Sequence, residues 1–212
     1  MYKQKFFFIV FEGIEGTGKS YQISKLFNSL KKKKIKTIKT REPGGSSSAE
    51  KIRNLIFNKK SNYLDKLTDF YLMLAARNEH LNKTLLPAQK NKIVVISDRF
   101  SDSTYAYQVV GKGINFNLFK TNNNYILKNF KPNLVIVLKS NFLSISKRIK
   151  KRKNNNKFDR LKKKFYQKAQ NSFIKITRKN KSRYSLFDSS INDNILEKKI
   201  LKLVLKKIKY DE

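Results

Sequence analysis

Residues 6–11 form a continuous apolar run, FFFIVF, rich in aromatic and β-branched side chains. Continuous rather than alternating hydrophobicity predicts a strand covered on both faces, as in a parallel sheet flanked by helices. Further strand-like runs lie at 35–40, 93–97 and 134–138, the first of them broken by Lys and Thr, with a weaker one at 184–188. Between them the apolar spacing changes to that of helices. Residues 20–30 place Ile23, Leu26, Phe27 and Leu30 on one face. Residues 49–57, 67–80 and 116–130 carry similar stripes, and Pro132 stands just before the fourth strand. This alternation predicts an α/β fold with a mainly five-stranded parallel sheet.

Residues 147–164, KRIKKRKNNNKFDRLKKK, interrupt the alternation with almost no apolar side chains. They read as either a mobile lid or a solvated basic loop. Residues 195–208 return to helical spacing with Leu201, Val204, Leu205 and Ile208. Such a stripe packs against a sheet more readily than it lies on a membrane. No repeat of 20–50 residues is present, so a solenoid is excluded. The expectation is one domain over residues 1–212 with a basic lid at about 147–164.

Charge changes this picture less than its size suggests. The 212 residues contain 49 Lys and Arg against 15 Asp and Glu, a formal net charge of +34. Such an excess raises nucleic acid or an anionic membrane as a partner. The lysines are spread along the chain, however, rather than gathered in one stripe, so neither partner is expected. Cysteine is absent, which excludes disulfides and thiolate metal sites. The longest apolar run is too short to span a bilayer and lacks a signal-peptide cleavage pattern. A soluble cytoplasmic protein is expected.

Function enters with Gly13-Ile14-Glu15-Gly16-Thr17-Gly18-Lys19-Ser20, a full match to G-x-x-x-x-G-K-[ST]. It follows the first strand and opens the first helix, as a phosphate-binding P-loop requires. Its backbone N–H groups and the helix N-terminus would cradle phosphates. Lys19 would neutralise the β- and γ-phosphates of ATP, and Ser20 would ligate Mg²⁺. Arg41 and Glu42 follow the second strand, at the edge where α/β ligands bind. Asp98 ends the third strand, either as a carboxylate supporting Mg²⁺ or as a helix N-cap. Arg99 beside it needs an anion. Arg77 interrupts an otherwise apolar helical face, which suits an ion pair or a ligand contact. His80, the one histidine, reads as structural.

These residues carry a resemblance to the bacterial thymidylate kinases. The shared segments are FEGIEGTGKS at 11–20, TREPGGS at 40–46, LAARNEHL at 74–81, DRFSDSTYAYQ at 98–108 and KRIKKRKNNNKFDR at 147–160. The resemblance implies a P-loop NTPase fold and transfer of phosphate from ATP to dTMP with Mg²⁺, a step in dTTP synthesis. It also implies a homodimer. By this likeness Glu15 contacts the sugar hydroxyl of the acceptor, Arg41 and Arg99 grip its phosphate, and Glu42 supports them. Arg77 reaches the thymine O4, while Thr104, Tyr107 and Gln108 lie beside base and deoxyribose. Phe70, Tyr71 or Met73 lines the base pocket. Gly16 stands where one branch of the family carries an arginine, so Arg148 and Arg152 of the lid would supply the missing cation. The chain departs from the pattern at Met73, where many relatives stack an aromatic ring. It also departs at Lys162, where Glu is frequent, and at Lys139, where an acid is common.

Two other functions remain open on sequence: a kinase for a different monophosphate, and a basic P-loop ATPase that binds nucleic acid. The first turns on the pyrimidine C4 substituent, because the guanidinium of Arg77 only donates. The second would need aromatics clustered with basic side chains on a surface.

Overall fold

The structure, a computed structural model, describes residues 4–58, 64–150, 163–190 and 193–209. Among them five strands form one parallel sheet: β1 (Phe7–Glu12), β2 (Thr37–Arg41), β3 (Val94–Asp98), β4 (Leu134–Lys139) and β5 (Tyr184–Asp188). Their order is β2-β3-β1-β4-β5. β1 pairs on one side with β3, Phe11 opposite Asp98, and on the other with β4, Ile9 opposite Leu134. The chain visits one side of β1 and then the other. A crevice therefore opens at the C-terminal ends of β1 and β3.

Period-two geometry explains the unbroken apolar runs. Phe8 and Val10 face one layer, with Val95, Val135, Val137 and Phe173. Ile9 and Phe11 face the other, with Ile96, Ile136, Ile23, Leu26 and Val204. The second layer is made by α1 (Lys19–Lys32) and α9 (Asp193–Ile208). Residues 195–208 thus lie on the sheet. The first layer is built by α2 (Ser47–Phe57), α3 (Lys66–His80) and α8 (Lys163–Lys179). α3 runs through a wide π-turn, Leu81–Leu85, into α4 (Leu86–Lys90). Likewise α5 (Ser101–Thr104) widens into a π-turn at Tyr105–Gly111, and α6 (Phe116–Leu127) follows. α7 (Phe142–Lys150) stands after β4.

Several boundaries differ from the sequence pattern for local reasons. β2 begins at Thr37 rather than at residue 35, because the Ile35 N–H closes α1 by bonding Leu30 O, just after Lys34 turns left-handed at φ 58°. α6 stops at Leu127, short of residue 130, because Lys128 takes φ 50° and its N–H bonds Asn124 O. The expected lid is also shorter at its ends. Residues 147–150 continue α7, anchored by buried Ile145, and residues 163–164 begin α8. Buried Tyr166, Ala169, Phe173 and Thr177 give α8 an inward stripe at three- and four-residue spacing. Lysines fill the rest of that helix and hide the stripe from a composition-based reading.

Candidate active site

The P-loop begins where β1 ends. Gly13 has φ 137°, and a Cβ there would come 2.3 Å from Leu138 O, so only glycine lets the loop leave the sheet beside β4. Gly18 caps α1 in a left-handed conformation. Lys19 is buried, and its Nζ donates to Gly13 O at 2.8 Å and Ile14 O at 2.9 Å. The ammonium thus spans the loop at the place a phosphate chain would occupy. Burial, with Arg99 adding its charge, pulls the Lys19 pKa down to about 8.

Ser20 Oγ donates to Asp98 Oδ2 at 3.2 Å, joining the helix start to the end of β3. Asp98 Oδ1 is buried and has no hydrogen-bond partner among the described residues. A hydroxyl and one carboxylate with an orphaned oxygen, beside a phosphate cradle, suit Mg²⁺, which keeps several waters and takes few protein ligands. The N-cap alternative for Asp98 does not hold. α5 is preceded by Phe100, with no side-chain cap.

Arg99 has φ 76° and points back under the P-loop. It donates to Gly13 O at 3.1 Å, Ser103 Oγ at 3.0 Å and Glu15 Oε1 at 2.6 Å. Glu15 also accepts from the hydroxyl of Tyr107. Glu12, which the motif reading passed over, anchors this loop from inside the sheet. Its Oε1 accepts from the Phe100 N–H at 2.8 Å and its Oε2 from Ser103 Oγ at 2.6 Å. Burial, with Asp102 nearby, pushes the Glu12 carboxyl well above the usual carboxylate range.

The expected base pocket is a buried polar lattice around Arg77. Its Nε donates to Glu42 Oε2 at 2.9 Å, Nη1 to Asn123 at 3.0 Å and Nη2 to Thr104 Oγ1 at 2.8 Å. Three of the five guanidinium N–H groups are engaged, and two remain for a ligand. Burial alone would raise the Glu42 carboxyl, but the charge of Arg77 and the hydrogen bond from His80 outweigh it and hold the pKa low. His80 spans Glu42 Oε1 and Thr40 Oγ1, at 2.9 and 2.7 Å, which is the structural role its sequence context suggested.

One cavity of about 440 Å³ joins these groups, from Lys19, Ser20 and Asp98 through Arg99 to Met73, Arg77, Thr104, Tyr107 and Gln108. Met73 lines it. Phe70 does not: it packs with Leu74, Ile114 and Phe119 in a separate cluster. Tyr71 is 45% exposed and also lies outside the cavity lining, so of the three alternatives for the base pocket Met73 is the one on its wall. Arg41 stands at the rim and is paired fork to fork with Glu50, at 3.0 and 2.7 Å. Arg53 and Phe57, unforeseen from sequence, enter the same wall. Arg53 lies 4.5 Å over the Phe57 ring and donates to Pro43 O at 2.8 Å. Its stripe with Ala49 and Ile56, at steps of four and three, is the signal that would have found it. Burial and the neighbouring charges of Arg41 and Arg99 depress its pKa.

Of the lid arginines, Arg148 is brought to the P-loop, with Nη1 3.4 Å from Gly16 O and Nη2 2.9 Å from Ser189 O. Arg152 and Lys162 lie outside the described residues. Lys139 is paired with Asp188 of the neighbouring strand at 3.0 Å.

A family model for thymidylate kinase matches residues 11–200. The chain belongs to the thymidylate kinase family. It is 34% identical over 207 residues to the thymidylate kinase of Mycoplasma capricolum, covering 97% of both chains. To that of Mesoplasma florum it is 34% identical over 202 residues, 95% of this chain and 96% of the relative. The crystal structure of thymidylate kinase from Ehrlichia chaffeensis aligns with a TM-score of 0.77 at 28% identity, covering 94% of this chain and 99% of that one. No described helix is long and apolar enough to cross a membrane.

Proposed function

We propose that this cavity transfers the γ-phosphoryl group of ATP to dTMP, giving ADP and dTDP, with the residue roles that follow. The carrying observation is the continuity of one 440 Å³ cavity from the P-loop lysine to a donor-only guanidinium, past a cluster of arginines. ATP takes the P-loop, with its phosphates on the backbone from Gly13 to Ser20. The acceptor phosphate takes the arginine side, where Arg99, Arg53 and Arg41 converge. The base lies against Met73, with the free donors of Arg77 toward O4 and Gln108 toward N3.

The transfer forms a bond from an acceptor phosphate oxygen to Pγ and breaks the bond from Pγ to the bridging oxygen of ADP. No dedicated general base is required, because a phosphomonoester with a second pKa of ~6 is already largely dianionic at neutral pH. The difficulty is bringing two anions together. Lys19, Arg99 and Arg148 offset the charge on the oxygens in transit. Ser20 and Asp98 would hold Mg²⁺, which supplies charge neutralisation at the β- and γ-phosphates when bound. Glu15 orients Arg99 and Tyr107 and faces the deoxyribose. The functional unit is a homodimer packed through helices, and a monomer by sedimentation at micromolar concentration would overturn that part.

A coupled assay over a panel of nucleoside monophosphates tests the reading. dTMP is expected to be the best acceptor, with dUMP behind it and dCMP poor, since cytosine turns an amino donor toward Arg77. Activity confined to cytidylate, or ATP hydrolysis seen only with RNA or DNA, would overturn it.

A further inference from the structure

Asp69 of α3 is fully buried, ion-paired with Lys112 and outside the cavity lining, so none of the roles above uses it. Its Oδ2 accepts two hydrogen bonds, from Gln108 Nε2 at 3.0 Å and from Lys112 Nζ at 2.7 Å. Gln108 is itself buried but lines the cavity. Its Oε1 has no hydrogen-bond partner among the described residues, yet it is not one of the side-chain atoms sealed from solvent. On the wall of the cavity, that oxygen is the unengaged polar end of Gln108.

An amide presents two ends of similar size and opposite hydrogen-bonding sense, and its neighbours decide which faces a ligand. Here the neighbour is a carboxylate, which only accepts, paired with the Lys112 ammonium. Turning the Gln108 amide round would put Oε1 3.0 Å from Asp69 Oδ2, with two acceptors opposed in a buried site. The nitrogen is therefore committed to Asp69 and the oxygen to the cavity. Arg77 offers only donors on the same wall. A donor next to an acceptor matches a pyrimidine with a carbonyl at C4 and a hydrogen on N3. It opposes one with an amino group at C4 and a bare N3.

We propose that Asp69, paired with Lys112, is a positioning residue that turns the acceptor end of Gln108 toward the base, and so selects thymine-type over cytosine-type monophosphates. This rests on the base lying against Met73, Arg77 and Gln108.

The test compares the KM for dTMP with the competitive Ki of dCMP. In Asp69→Ala the amide can rotate to suit either base, so the dTMP KM should rise only about twofold while the dCMP Ki falls about tenfold. Arg77 keeps dCMP a poor ligand in absolute terms. In Asp69→Asn the Lys112 ammonium fixes the new amide oxygen where Oδ2 stood, so selectivity should be retained. The isosteric double variant Asp69→Asn/Lys112→Met loses that anchor and should behave like Asp69→Ala. It also decides the matter if Asp69→Ala does not fold. A KM-to-Ki ratio equal to wild type in the double variant and in any folded Asp69→Ala protein overturns the proposal, even if turnover or stability falls. Gln108→Leu separates the two levels. A raised dTMP KM keeps the base beside Gln108, whereas an unchanged KM removes the base from this pocket and the proposal with it.

Discussion

Lys19 illustrates how a single buried charge couples binding to pH. In the free protein burial and the nearby charge of Arg99 draw its pKa down to about 8. Bound phosphates favour the ammonium and return the pKa upward. ATP binding at pH 8 should take up a proton, and ATP affinity should fall as pH rises through 8. Calorimetry in two buffers of different ionisation enthalpy measures the uptake. Lys19→Ala should abolish both the uptake and phosphoryl transfer with the fold intact, since Ala suits a helix start. Arg77 acts at the other end of the cavity. Arg77→Ala should raise the dTMP KM by the equivalent of about 1.5–3 kcal/mol and relax base choice, because a charged donor is lost. An unchanged preference for dTMP over dCMP would make Arg77 a structural residue alone.

At the scale of elements, the site depends on how α7 and α8 close over the loops. Arg148 reaches Gly16 O from the last turn of α7. Arg148→Ala should lower kcat more than it raises the KM for ATP, since the charge it offsets grows in the transition state. Kinetics like wild type would remove Arg148 from the chemistry. α8 packs its first turn on the π-turn that carries Tyr107 and Gln108. The Phe165 ring lies 5.8 Å from that of Tyr107, and a Cβ on Gly111 would come 2.3 Å from the tip of the Phe165 ring. Gly111→Ala should therefore cost about 1–3 kcal/mol of stability by overpacking. Adding Phe165→Ala should leave less than the sum of the two single losses, and denaturant melts of the four proteins measure the coupling.

For the molecule as a whole, the formal charge of +34 should favour encounter with anionic substrates. Screening should lower kcat/KM for dTMP more than kcat as ionic strength rises, which steady-state assays from low to high salt detect. Most of the architecture was legible along the chain. Unbroken apolar runs imply strands covered on both faces, and a complete P-loop between a strand and a helix identifies where phosphate binds; both signals are local. Helix ends at Leu127 and the late start of β2 were not legible, because they depend on single left-handed residues, Lys128 and Lys34. Nor was the stripe of α8, hidden among lysines. The polar lattice of the site was the least legible part. Glu12 and Ser103, Asp69 and Gln108, and Arg77 and Asn123 lie 91, 39 and 46 positions apart. Sequence determined which residues could donate, accept or carry charge. Only packing decided that Glu42 locks Arg77, that Arg53 joins the anion wall, and that Asp69 turns the amide of Gln108. A hydrogen bond between distant segments has direction only once the sheet and helices have brought its partners together.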